Sequence, residues 1–291
     1  MTTVPTRLVS LALMVAVTVL WGGSSALLAV LAAPTTSCLV AFGGAATLLI
    51  VARLRGENPW RAFVAHPALY LRLGGLETAN LVLYVTALRI GPLPVVVPLH
   101  LAAPVLLISI GLVRGRRPPT VPVAIELLLV GAAMWLVTTH HPASLAVGEV
   151  AAGCLLALAS AACVAILVSL IAREAEARST VTSAGLQILL AAIAGTPLLA
   201  IDPPTPRSAA ELLAVGALLL GPGFALYWRA LRRLDATTAS IIGLNEAVVA
   251  ALVGALCTGT RLTVATVGAG ALVLGAVGLE QWSASGRDAP P

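Results

Sequence analysis

The sequence predicts an all-α membrane protein of ten transmembrane helices, arranged as two inverted five-helix repeats. Three observations predict it. Apolar stretches of about 20 residues, the length that crosses a bilayer core as a helix, recur from end to end. Arginines gather in alternate connections between them, and the chain aligns with itself at an offset of 143 residues. Hydrophobic residues make up 59% of the chain and charged residues 10%, with a mean hydropathy of +1.02. A soluble domain carries about 25% charged residues, so this chain has too few to cover a soluble surface. Hydrocarbon offers no water to backbone N–H and C=O groups, so apolar runs this long must pair them internally as helices. A β-barrel would need segments of about ten residues with alternating polarity, and none occurs.

The spans are expected at 8–31, 36–52, 68–88, 92–113, 121–139, 147–171, 180–201, 209–228, 236–257 and 263–280. Span 1 follows Arg7, and Leu31-Ala32-Ala33 resembles a signal-cleavage site. The run is long for a signal peptide and nine more follow, so it reads as a retained helix. The connections carry turn chemistry: Ala33-Pro34-Thr35, Gly91-Pro92, Arg117-Pro118-Pro119, His141-Pro142 and Asp202-Pro203-Pro204. The longest, Arg53 to Pro67, joins spans 2 and 3. Two domains follow, repeats at 8–139 and 147–280, with a short polar cytoplasmic tail at 281–291 that is expected to be disordered from Ser283.

The net charge of +5 comes from arginine alone, since the chain has no lysine. With the N-terminus inside, 14 of the 17 arginines fall on the cytoplasmic side and Arg89, Arg207 and Arg261 fall outside. That bias sets both termini in the cytoplasm and explains the pI of 9.6 without nucleic acid. Cys38, Cys154, Cys163 and Cys257 lie in or near apolar spans, with no CxxC or metal-ligand spacing, and read as small buried hydrophobes. Catalytic motifs (G-x-S-x-G, H-E-x-x-H, the P-loop) are absent, and no cofactor is expected. His140-His141 sits in the connection between the halves with no Cys or acid cluster nearby.

At the 143-residue offset, Tyr84 lies over Tyr227, Ala87-Leu88-Arg89 over Ala230-Leu231-Arg232, Leu101 over Leu244, Gly111 over Gly254 and Thr120-Val121 over Thr263-Val264. The register runs without a gap to Leu129-Val130 over Leu272-Val273. Five spans per half is an odd number, so the second half enters the membrane from the opposite side. Parallel sequence repeats thereby become inverted structural ones, a common plan of secondary transporters.

Three segments carry a family resemblance: Trp21-Gly22-Gly23-Ser24-Ser25 at the end of span 1, Ala87-Leu88-Arg89 before span 4, and Ala236 to Thr263 around span 9. Through them the chain resembles the ten-helix permeases of the drug/metabolite transporter superfamily with two EamA-type repeats, in particular the threonine/homoserine exporter branch. The resemblance implies export of amino acids or other small metabolites. Two departures stand out. Such permeases often carry Glu-Pro in span 9, where this chain has Glu246-Ala247, and an acid just after it, where this chain has Gly259-Thr260.

Polar groups inside a membrane are costly and carry a functional expectation. Glu246, beside Asn245 near the middle of span 9, suits proton coupling or binding of a substrate amine; the plainer role is an interhelical hydrogen bond. Glu77, Asn80 and Tyr84 share one face of span 3, expected to line a cavity or to glue helices together. His100 in span 4 sits one turn before Ala103, the aligned partner of Glu246, so the two should approach one central space. Trp21, Ser24 and Ser25 close span 1, where Gly22-Gly23 permits close approach or unwinding. Arg89 and Arg232 occupy matched positions at opposite faces, as gates or as snorkelling anchors. Gln187 is a weaker cavity candidate and Glu126 an expected packing group. Glu149 and Glu211 suit helix starts, and Gly268, Gly270, Gly275 and Gly278 suit packing in span 10.

The sequence therefore points to a secondary-active exporter of amino acids or similar metabolites, working by alternating access on a proton or substrate gradient. Its expected partners are a small-molecule metabolite, the lipid bilayer, protons and a second copy of the chain, with no nucleic acid and no metal. Arginine-only basic usage and the Ala/Val/Leu bias suggest a bacterial plasma membrane. A non-transporting scaffold or receptor and an intramembrane enzyme are the rival classes. The first predicts no solute-accessible space between the halves, and the second needs a convergent catalytic cluster that the sequence lacks.

Overall fold

A computed structural model describes residues 6–31, 37–90, 96, 99–115, 120–139, 147–201, 203–258 and 264–287. Among these the only regular secondary structure is helical. The helices are α1 (Thr6–Leu31), α2 (Ser37–Leu54), α3 (Pro59–Ala65), α4 (Pro67–Ile90), α5 (Ala103–Val113), α6 (Val121–Thr139) and α7 (Val147–Glu174). They continue with α8 (Thr180–Gly195), α9 (Pro206–Val215), α10 (Gly221–Ala230), α11 (Ala236–Gly243), α12 (Asn245–Thr258) and α13 (Val264–Arg287).

Among the described residues, five stretches are long and apolar enough to cross a membrane: Leu8–Leu28, Ser37–Leu54, Ala151–Glu174, Thr180–Ala200 and Pro206–Ala230. Shorter apolar helices lie at Ala103–Val113, Val121–Ala133, Ala236–Ala250 and Val267–Ala276. Large apolar side chains stand exposed on these helices, among them Ile50, Leu128, Leu155, Leu218 and Leu274. Water would penalise such a surface and lipid does not. The chain is a multi-pass helical membrane protein.

Helix ends follow the local chemistry. The side chains of Asn58, Ser179, Thr205 and Asp235 accept hydrogen bonds from the first-turn N–H groups of α3, α8, α9 and α11. Gly56 (φ +76°) and Gly115 (φ +63°) turn the chain just past the ends of α2 and α5, in the left-handed conformation that glycine adopts without strain. Asp235 is the best-made cap: one carboxylate oxygen accepts from Thr237 N at 2.9 Å and Thr238 N at 3.0 Å. The other accepts from the Thr238 hydroxyl at 2.6 Å. Asp235→Ala is expected to cost about 1 kcal/mol, read as a lower unfolding temperature in detergent, with Asp235→Asn largely restoring it. Identical unfolding of all three proteins would refute the cap.

α2 packs along α8, α4 along α7 and α8, α1 along α10 and α12, and α6 along α13. Between α9 and α10 the helix widens into one π turn, Gly216–Leu220, before Gly221-Pro222. Pro222 has no N–H to offer Leu218, which removes one α-helical bond at that point. α2 meets this segment backbone to backbone. A methyl on Gly43 would lie 2.0 Å from the Leu213 carbonyl oxygen, and one on Gly216 would lie 1.9 Å from that of Val40. The Glu57 carboxylate accepts from the Ser179 and Thr182 hydroxyls at the start of α8.

Three expectations are adjusted. The Arg53–Pro67 connection contains a helix, α3. α13 runs on to Arg287, through much of the stretch expected as a tail; residues 288–291 lie outside the described residues. Of the span-10 glycines, only Gly268 is closely approached, by Leu136 at 3.0 Å from a built Cβ. Gly270 and Gly275 leave ordinary room and Gly278 meets nothing within 4 Å.

Candidate functional site

Among the described residues, the helical path is interrupted by a turn at two aligned positions. α11 ends at Gly243 and α12 begins at Asn245, with Leu244 between them in a turn. Leu244 N donates to Ile241 O and Ala247 N to Leu244 O, both at 3.1 Å, a tightening that needs no proline. In the other half, Leu99 and His100 are helical, Leu101 and Ala102 form a turn, and α5 starts at Ala103 with Pro104 in its first turn. Leu101 and Leu244 are 143 residues apart, the repeat offset. Glu246 was expected in mid-helix; the break instead puts it in the first turn of α12, where the helix dipole favours a carboxylate.

Around Glu246, the Ser25 hydroxyl donates to Oε1 at 2.8 Å. α1 reaches it because Gly22 lies on α12: a methyl there would sit 2.7 Å from Val249 Cβ and 2.9 Å from Glu246 O. Trp21, one turn before Ser25, packs its ring 5.0 Å from both Phe224 and Tyr227 of α10. Its indole nitrogen rests over Gly223, 2.4 Å from where a Cβ would be. Trp21 Nε1, Ser24 Oγ and Asn245 Oδ1 are buried without a hydrogen-bond partner among the described residues. Such groups are costly unless something satisfies them.

Glu77 heads a second cluster and is 5% exposed. Gln187 Nε2 donates to its Oε2 at 3.0 Å and Asn80 Nδ2 to its Oε1 at 3.3 Å. Trp228 Nε1 donates to Gln187 Oε1 at 2.9 Å. Ser160 Oγ contacts Asn80 Oδ1 at 2.7 Å, Asn80 O at 3.2 Å and His100 Nδ1 at 2.8 Å. The Tyr84 ring stacks on His100 with centroids 3.8 Å apart. The two clusters adjoin through α10, where Tyr227 faces Trp21 while Trp228 faces Gln187. Tyr227 lies within electrostatic reach of both Glu77 and Glu246, and Tyr84 within reach of Glu246.

The structure thus brings Glu246, Ser25 and Trp21 together on one side and Glu77, Asn80, Tyr84 and His100 on the other. Gln187, a weaker candidate in the sequence, is fully buried at the centre. The Arg232 guanidinium donates to Ala175 O at 3.0 Å and Arg178 O at 2.7 Å past the end of α7. The side chains of Arg89 and Glu149 and the pair His140-His141 lie outside the described residues. Glu126 is fully buried in α6, and Glu211 pairs with exposed Arg207 at 2.9 Å. Ser160, Phe224, Tyr227 and Trp228 were missed as site residues. The repeat did signal Tyr227, which aligns on Tyr84; a lone serine in an apolar span gives no such signal. No group of three or more His, Cys, Asp or Glu side chains among the described residues could hold a metal ion.

Residues 151–279 match the EamA-like transporter family. The match covers most of the second half, and it supports a place in the drug/metabolite transporter superfamily and a transport function. A solved crystal structure superposes on 96% of this chain and 98% of its own with a TM-score of 0.73 at 20% sequence identity. That likeness is of fold over nearly the whole length, including the half that the EamA match does not reach. No curated protein matches the sequence.

Proposed function

We propose that the protein is a secondary-active transporter of ten membrane-spanning helices in two inverted repeats, exporting amino acids or other small metabolites across a bacterial plasma membrane. Both termini are cytoplasmic, protons supply the coupling, and alternating access rocks the halves about a site formed at spans 1, 3, 4, 6, 8 and 9. One observation carries this reading: the paired helix breaks at Leu101 and Leu244, one repeat apart, beside His100 and Glu246. Broken helices at corresponding positions of two halves are where transporters bind solutes, because unwound turns and half-helix ends offer polar groups inside the membrane. The packing supports it too. α4 on α7 in one pairing of the halves corresponds to α1 on α10 in the other, as an inverted pseudo-twofold requires.

Glu246, Asn245, Trp21, Ser24 and Ser25 form the exchangeable part of the site; Glu77, Asn80, Tyr84 and His100 form its ordered wall. The test is flux from proteoliposomes loaded with a radiolabelled amino-acid mixture, with and without an imposed pH gradient. Solute loss faster than from protein-free vesicles, and accelerated by an opposing proton gradient, is expected. Loss that ignores the gradient would remove proton coupling. No loss above the protein-free rate for this mixture would remove amino-acid export.

A further inference from the structure

With Glu77 ionised, the hydrogen bonds from Trp228 to His100 read in one direction only. An indole N–H is a donor and nothing else, so Gln187 must turn its Oε1 to Trp228 and its NH₂ to Glu77. An ionised Glu77 only accepts, so Asn80 must turn its NH₂ to Glu77 and its Oδ1 to Ser160. Asn80 Oδ1 and Ser160 Oγ are both oxygens, 2.7 Å apart, and only serine has a proton to place between them. That spends the one hydroxyl proton of Ser160. The contact to His100 at 2.8 Å therefore needs its proton from the ring, as Nδ1–H donating to Oγ. The stacked Tyr84 ring holds the imidazole plane. His100 Nε2 makes no hydrogen bond among the described residues.

We propose that this chain fixes neutral His100 as the Nδ1–H tautomer and so makes its Nε2 a hydrogen-bond acceptor for the transported solute. The inference rests on the transporter reading and names what that site recognises: an N–H or O–H donor on the solute, a hydroxyl or an amine, rather than a carboxylate. His100 is the specificity-determining residue, and Trp228, Gln187, Asn80 and Ser160 are positioning residues that set its tautomer. Glu77 is the point at which the direction can change. With a glutamine there, the amide oxygen accepts from Gln187 and the NH₂ faces Asn80, which favours turning the Asn80 amide over and reversing the chain beyond it.

The tautomer is read by ¹⁵N NMR of histidine-labelled protein in nanodiscs. The His100 signals are identified against His66, His140 and His141 by their loss in His100→Gln. A protonated Nδ1 and a bare Nε2 are expected, with Glu77→Gln moving the population toward Nε2–H. An Nε2–H ring in the wild-type protein overturns the proposal, and an unmoved population in Glu77→Gln overturns the role of Glu77. Flux supplies a second readout. His100→Asn keeps an N–H near the Nδ1 position but has nothing at Nε2; His100→Gln puts an amide oxygen near Nε2 and loses the bond to Ser160. If His100 only packs, the asparagine variant is the better tolerated. The proposal expects the reverse, with flux in His100→Asn lower by roughly tenfold at unchanged unfolding temperature and better retained in His100→Gln. Wild-type flux in the asparagine variant would overturn it. If the wild-type protein moves no solute, the transporter reading fails while the tautomer measurement still decides the direction of the chain.

Discussion

Glu246→Gln is expected to lower flux by roughly ten- to a hundredfold while leaving the folded protein intact. Glutamine has the shape of glutamate and can still accept from the Ser25 hydroxyl, which now bonds Oε1 at 2.8 Å. The contact between α1 and α12 is made by Gly22 against the Glu246 backbone and Val249, and the substitution leaves it alone. What disappears is the negative charge. A hydrogen bond to a charged group is worth about 1.5–3 kcal/mol, and each 1.4 kcal/mol is a factor of about ten in binding. Glu77→Gln tests the contrast. Its carboxylate is already occupied by Gln187 and Asn80, so that substitution should change the pH dependence and the His100 tautomer more than the unfolding temperature. The paired measurement is flux in proteoliposomes and thermal unfolding in detergent. Equal flux in Glu246→Gln and wild type would end the role assigned to Glu246.

Gly216→Ala is the second large effect, and it falls on stability. The added methyl would lie 1.9 Å from the Val40 carbonyl oxygen, 2.7 Å from its carbon and 3.0 Å from Gly44 N. All three are backbone atoms of α2, so no rotamer change relieves the clash, and α2 must part from the π turn. The same surface holds Gly43 against the Leu213 carbonyl and Gly44 against Gly221, so separation loosens several contacts at once. Overpacking of a well-packed site costs about 1–3 kcal/mol, and immovable backbone puts this one at the upper end. Gly75→Ala is the control. Nothing lies within 4 Å of a methyl there, and alanine favours a helix interior by about 1 kcal/mol. Gly216→Ala should unfold at clearly lower temperature in detergent and Gly75→Ala at equal or higher temperature. Similar unfolding of both variants would show that the α2 contact does not set stability.

These two predictions differ in how far the sequence alone could reach them. Glu246 was visible because a carboxylate in an apolar run of about 20 residues has no cheap explanation. Gly216 was invisible, since small residues are common in every span and only one partner approaches closely enough to forbid a side chain. Gly270, Gly275 and Gly278 in span 10 looked equally good in the sequence and have room around them. Gln187 and Ser160 fall between these cases. Each is a polar residue in an apolar helix, but their importance comes from what meets them, Trp228 and Glu77 for one and Asn80 and His100 for the other. The break ahead of Glu246 was also hidden. The permeases that the chain resembles often carry Glu-Pro there, this chain has Ala247, and the turn forms through the carbonyls of Ile241 and Leu244 instead.

By itself the sequence determined that the protein is helical and lives in a membrane. It also placed the apolar segments and named the ionisable residues they contain. Those properties follow from composition and local periodicity, because lipid imposes one backbone solution on any long apolar segment. The tertiary structure alone decided which polar groups share a network, which way its hydrogen bonds point, where two helices break, and which glycines are irreplaceable. Each of these depends on distances between residues far apart in the chain, at a scale of tenths of an ångström that a one-dimensional pattern does not encode.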